Sequence, residues 1–278
     1  MRHIFVPNKN SFSPLNCEDR VLETKVRAGD EVWISVVFTW DKPLAESMGA
    51  YYRSIGAEVK LGGPAYDDPG GEFTPGLFSA PGVVITSRGC PRGCPWCYVP
   101  KREGQRIRHL DVKEGRILQD NNILACNREH KERVWAMLRR QRAISLRGGL
   151  DARLLKDEDV DNIRSLKLFD LWTAYDDKEN RTASLSAIRR LRAAGIPQHK
   201  IRCYVLIGFA GETRREAEGR LWDCAASGAL PFAQLYDGYT GSEEETLEWK
   251  RLARRWSRPP ITKAEIARLD RENLKGLI

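Results

Sequence analysis

The stretch Val83-Val84-Ile85-Thr86-Ser87-Arg88-Gly89-Cys90-Pro91-Arg92-Gly93-Cys94-Pro95-Trp96-Cys97 runs from an apolar segment straight into a Gly/Pro-rich loop. Residues Val83 to Thr86 read as a strand, and the loop after it carries three cysteines in a CxxxCxxC spacing. Three thiolates on so short a loop can bind three corners of a cubane iron–sulfur cluster. One iron is then left open to a small molecule, whereas a purely electron-carrying cluster usually has four protein ligands. Two other readings stay open at this point. Zinc accepts Cys3His sets, and His109 or His130 could complete one, although the usual pair of CxxC knuckles is missing; alternatively the three cysteines are simply buried.

From Gly82 onward, apolar strand patterns alternate with helical ones, which argues for a parallel sheet with helical crossovers. The strands read as Val83 to Thr86, Arg116 to Gln119, Ala143 to Arg147, Leu168 to Thr173, Ile201 to Ile207 and Phe232 to Tyr236. Helices fall between them at Glu129 to Arg140, Asp157 to Ser165, Asn180 to Ala194 and Thr213 to Ser227. Six such units are too few for a closed eight-stranded barrel, so the expected fold is α/β, an open partial (β/α)6 TIM-type barrel over residues 82–239. Upstream, Glu31 to Phe38, Leu44 to Ile55 and Ala57 to Leu61 form a strand, helix and strand, one small βαβ appendage. The Gly/Pro-rich segment Ala65 to Pro81 reads as a linker, so residues 1–81 are expected to form a separate Rossmann-like relic.

Residues 240–278 are expected to be a helical tail. Two helical patterns begin there with capping boxes, Ser242 with Glu245 and Thr262 with Glu265. Trp249, Leu252, Ala253 and Trp256 make one apolar stripe, flanked by Lys250, Arg251, Arg254 and Arg255. Such a helix either packs on the barrel or offers a basic, tryptophan-bearing face to nucleic acid.

Composition sets the surroundings. The 278 residues carry a formal net charge of +8, which favours a polyanionic partner through counterion release. The arginine pairs sit mostly within amphipathic helical patterns, where a solvated face accounts for them. Seven cysteines, scattered apart from the loop, do not make a disulfide scaffold, and a reducing cytoplasm is the expected compartment. No signal-peptide stretch opens the chain and no run of about 18 apolar residues occurs, so no membrane association is expected.

The cysteine spacing resembles the signature of radical S-adenosylmethionine (radical SAM) enzymes. In that family the open iron of a [4Fe-4S] cluster chelates the amino and carboxylate groups of S-adenosylmethionine, and the residue before the third cysteine, here Trp96, lies near the adenine. The segment Cys203-Tyr204-Val205-Leu206-Ile207-Gly208-Phe209-Ala210-Gly211-Glu212-Thr213 is similar to the glycine-bearing strand that supports the adenine in the methylthiotransferase and cobalamin-linked branches. The resemblance implies a reductive cleavage of the sulfonium to methionine and a 5′-deoxyadenosyl radical. It also implies a one-electron donor of the flavodoxin or ferredoxin type. Cys90, Cys94 and Cys97 would be the cluster ligands and carry the catalysis; Trp96 and Gly208 would shape the adenine site.

Ligands of parallel α/β proteins gather at the carboxyl ends of strands. The second strand ends in Asp120-Asn121-Asn122 where the family commonly has Gly-Gly-Glu, so Asp120 and Asn121 are candidates for the cofactor amino group, or for an ordinary Asx turn. Arg147 or Arg153 could reach the cofactor carboxylate as a bidentate partner, with an Asp151–Arg153 contact competing. Asp176 could bind ribose hydroxyls or cap a helix, and Glu212 opens the helix after the glycine strand. The missing upstream cysteines argue against a methylthiotransferase, and the missing Asp-x-His-x-x-Gly motif argues against cobalamin. Two other classes compete: an iron–sulfur electron-transfer or redox-sensing protein, and a zinc-stabilised nucleic-acid-binding module. The substrate is open, with nucleic acid favoured by the basic charge.

Overall fold

Three short strands near the N-terminus, β1 (Arg2–Phe5), β2 (Glu31–Ser35) and β3 (Glu58–Gly62), form a parallel sheet in that order. The computed structural model describes residues 1–14, 25–68, 71–258, 260, 262–264 and 266–267. Between β2 and β3 runs α1 (Lys42–Ser54), which has Pro43 in its first turn, where a missing N–H costs nothing. Ala45, Met48 and Tyr52 face one way at helical spacing and pack on Phe5, Val32, Ile34 and Val36. The βαβ pattern expected from residue 31 is present. The sequence pattern does not announce β1, whose start is tied down by charge: the terminal amine meets Asp30 at 2.5 Å and Arg2 meets Glu31 at 3.0 Å.

The next elements are β4 (Val83–Val84), β5 (Ser87–Arg88), α2 (Val99–Arg102), β6 (Arg108–His109), β7 (Ile117–Leu118) and α3 (Arg128–Arg139). β4 and β7 run parallel, while β5 and β6 pair antiparallel beside the cysteine loop. β4 is shorter than its apolar run because Thr86 leaves the ladder. Its N–H goes to the Asp120 carboxylate, and its carbonyl accepts from Leu110 N–H.

The remaining chain alternates β8 (Ile144–Leu150), α4 (Asp157–Arg164), β9 (Leu168–Ala174), α5 (Arg181–Ala193), β10 (Ile201–Ile207), α6 (Arg214–Ala226), β11 (Leu230–Leu235) and α7 (Glu243–Ser257). These strands belong to a six-stranded sheet in the order β11-β10-β9-β8-β7-β4. The pairs β8·β9, β9·β10 and β10·β11 are all parallel. The molecule is therefore mixed α/β with a mostly parallel sheet.

The chain divides into two compact units, residues 1–121 with 126–138, and residues 122–125 with 139–278. The expected boundary near Pro81 falls inside the first. In the second, β10 alternates strictly: Ile201, Cys203, Val205 and Ile207 are buried while Arg202, Tyr204 and Leu206 keep some exposure. Trp249, Leu252 and Trp256 of α7 are buried too, with Trp256 edge-on to Trp222 at 4.5 Å. The packing role for this stripe is the observed one, so neither of these tryptophans is open for base stacking. The helical pattern at Thr262 runs into Glu265 and 268–278, which lie outside the described residues, as does Cys17. Among the described residues no helix is long and apolar enough to cross a membrane.

Candidate functional site

The cysteine loop begins at a glycine that nothing else can replace. Gly89 has φ +84°, the left-handed region that L side chains rarely adopt, and a Cβ there would overlap the Arg106 carbonyl oxygen. The Cys90 N–H then donates to the Gly104 carbonyl at 3.2 Å, and the Cys97 N–H donates to the Cys94 carbonyl at 3.0 Å, closing a turn around the second and third cysteines. Cys90, Cys94 and Cys97 are thiols and each is partly exposed, unlike the buried thiols Cys126, Cys203 and Cys224.

Two carboxylates hold this loop from beneath. Glu103 accepts from Arg88 Nη1 at 3.3 Å, from the Gly89 N–H at 3.3 Å and from Asn121 Nδ2 at 2.5 Å. Asp120, at the end of β7, accepts from the Thr86 N–H and from the Thr86 and Ser87 hydroxyls, each at 2.6 Å. Thr86 Oγ1 also lies 3.1 Å from His130 Nε2, and the His130 ring stacks on His109 at 4.4 Å. The loop is thus bolted to β7 and α3 by buried hydrogen bonds, which are worth most where water is excluded.

Burial decides the protonation of this anchor. It raises the Asp120 carboxyl, against the lowering effect of the Ser87 and Thr86 hydrogen bonds. It pushes the Cys126 thiol up to about 11. It also takes His130 down to about 4, helped by the nearby charges of His109 and Arg133. At neutral pH the imidazole and the thiol are therefore uncharged, as a dry environment demands. Ligand atoms of Asp120, Cys126 and His130 all lie within 4.8 Å of one another. Both Asp120 oxygens are already engaged, so hydrogen bonding accounts for this convergence. Among the described residues this is the group of three such side chains whose ligand atoms converge that closely.

In the same unit, Trp96 is partly buried within the loop, and Asn121 acts on it through Glu103. The other candidates lie in the second unit. Arg147 Nη2 pairs with Asp170 at 3.0 Å, and Arg153 takes the competing role, pairing with Asp151 at 2.7 Å. Asp176 accepts the Leu206 N–H at 2.9 Å, which ties the end of β9 to β10. Gly208 has φ +77° and is crowded by Leu235 and Tyr239. Glu212 is buried and grips Arg220 Nη2 with both oxygens, at 2.6 and 2.8 Å; Arg220 also donates to the Tyr175 and Leu206 carbonyls. Glu103, Thr86, Ser87 and Arg220 are the functional supports that sequence reasoning misses. Thr86, Ser87 and Glu103 lie near glycine turns, Arg220 lies inside α6, and each partner is brought in by the fold.

No protein-family model matches this chain, and a search of curated proteins finds no match to it.

Proposed function

We propose that this protein is a radical SAM enzyme. The observation that carries the reading is the CxxxCxxC loop: three partly exposed thiols on a glycine-started turn, braced by Glu103 and Asp120. The donor set fits an iron–sulfur cluster, because thiolates are the soft ligands that iron–sulfur centres take. A zinc ion would need a fourth ligand from outside the loop, and His130 Nε2 already lies 3.1 Å from Thr86 Oγ1. We read the mostly parallel sheet as an open partial (β/α)6 barrel.

A [4Fe-4S] cluster bound there would supply the one-electron chemistry for reductive cleavage of S-adenosylmethionine. The chain's own part is to bind, orient and exclude water. Cys90, Cys94 and Cys97 would hold the cluster. Asp120 and Asn121 act by fixing the loop, because their polar atoms already bond Thr86, Ser87 and Glu103. Arg153, Asp176 and Glu212 act in the same indirect way, by setting the strand ends through Asp151, Leu206 and Arg220. The electron would come from a flavodoxin- or ferredoxin-type donor.

The test is anaerobic reconstitution with iron and sulfide, reduction with dithionite, and measurement of 5′-deoxyadenosine released from S-adenosylmethionine. Release by the wild type and its loss in Cys94→Ala is the expected result. Iron binding without cleavage would instead identify an electron carrier, and release that persists in Cys94→Ala would overturn the proposal.

A further inference from the structure

One face of the β8–β11 sheet is charged and aromatic. Ser145 and Arg147 of β8, Asp170 and Trp172 of β9, Arg202 and Tyr204 of β10, and Phe232 of β11 all project from it, as the strand register requires. On the opposite face Leu171, Cys203, Val205 and Ala233 are buried. Trp172 lies 4.3 Å from Tyr204 and 5.5 Å from Phe232, centroid to centroid, and Tyr204 lies 5.6 Å from Phe232.

The charges on this face do not balance. Asp170 is the sole acid among these residues, and it is used up: the Ser145 hydroxyl, Arg147 Nη2 at 3.0 Å and the Trp172 indole N–H at 3.3 Å all bind it. Arg147 sits over the Trp172 ring at 5.2 Å, so its charge is met twice. Arg202 feels Asp170 only at a distance. Among the described residues it has no carboxylate partner, and its Nε is buried without an acceptor. Burial dominates its surroundings, with the attraction of Asp170 second and the repulsion of Arg147 opposing it. A half-buried guanidinium left without an anion costs free energy unless a ligand supplies one. Tyr204 and Phe232 keep partial exposure beside it, and the Arg147 side chain is 28 % exposed, so solvent reaches the face.

We propose that this face binds a flat aromatic ring carrying one acidic group, phosphate or carboxylate, with the acid on Arg202 and the ring against Tyr204 and Phe232. The charge asks for one anion, and a planar guanidinium fork offers either acid two parallel hydrogen bonds. The partly exposed rings of Tyr204 and Phe232 suit an aromatic ligand. Arg202 and Tyr204 lie six and four residues before Gly208, about 20 and 13 Å along an extended strand at roughly 3.3 Å per residue, so the acid and ring would sit toward the other end of the strand from that glycine. Naming it the substrate rests on the radical reading; the binding itself does not.

The experiment uses the full chain as purified, with no cluster and no S-adenosylmethionine. Uridine 5′-monophosphate and indole-3-carboxylate are titrated by calorimetry against their neutral parents, uridine and indole. At least one acid should bind about tenfold or more tightly than its parent, the usual scale of a charge-assisted hydrogen-bond pair. Which acid does so identifies the group as phosphate or carboxylate. Arg202→Met should abolish the advantage and Arg202→Lys should retain part of it. If neither acid outbinds its parent, or if the advantage survives in Arg202→Met, the proposal is wrong. The wild-type comparison stands even if Arg202→Met fails to fold, as judged by circular dichroism. Failure here leaves the cofactor-cleavage test untouched, and the reverse also holds.

Discussion

His130 is the residue on which the anchor of the cysteine loop can be read in solution. Its ring is buried between Thr86 and His109, and burial with neighbouring positive charge lowers it from 6.5 to about 4. The unfolded chain binds a proton at this position below about pH 6.5 while the native state does not until about pH 4. Stability is therefore fully present above the unfolded value and is lost as pH falls through this window. We expect the wild type to lose on the order of 1–2 kcal/mol between pH 7 and pH 4.5 through this group, after discounting for partial solvent screening. His130→Gln should show a correspondingly flatter pH dependence of its urea midpoint. An equal slope in the two proteins would mean that His130 titrates normally and that the anchor is wet. The residue scale also shows why Asp120 looks like a ligand in the sequence. A polar strand end has the same signature whether it binds a cofactor or receives three hydrogen bonds from Thr86 and Ser87.

At the scale of elements, the helices were legible and the short strands less so. α6 starts where the sequence puts it, since Thr213 caps the Glu216 N–H and Glu216 returns the bond, a capping box visible without any structure. Ser242 and Glu245 do the same for α7. What the sequence does not display is that α6 is locked to β10 by Arg220. This buried arginine joins Glu212 to the Tyr175 and Leu206 carbonyls, spanning the loop between strand and helix. Arg220→Met should cost about 3–5 kcal/mol, because it leaves the buried Glu212 carboxylate unpaired. Replacing Glu212 by Leu in the same protein should recover part of that loss but not all, since the two carbonyls still lack their donor. Equilibrium urea unfolding checks both. A double variant less stable than Arg220→Met would show that the ion pair is not the source of the cost.

At the scale of the whole molecule, folding does not rest on the loop cysteines. The first unit has its core in Phe5, Val32, Ile34, Val36 and Tyr52, and the second buries residues such as Leu171, Val205, Ile207 and Trp256. Apolar burial of this kind supplies most of the stability of a domain, without help from a metal. On the proposed reading, chelation should therefore leave the far-UV circular dichroism and the cooperative melt in place, while it removes the iron and the cofactor cleavage. Collapse of the fold on chelation would favour a structural metal, as in small zinc modules.

By itself the sequence determined the alternation of strands and helices, the helix caps, the apolar stripe of α7 and the three-thiol loop. These are local facts, set by periodicity, by hydrogen bonds within a turn of chain, and by a spacing of a few residues. Only the tertiary structure decided which polar residues are available for chemistry. Arg147, Arg153, Asp176 and Glu212 look alike in sequence as exposed strand-end groups, and each meets a partner that the fold supplies. Arg202, which no motif marks, is the one left with an unmet charge on the aromatic face. The physical reason is that a charge's function depends on what balances it, and the balancing group is brought by strand pairing from elsewhere in the chain.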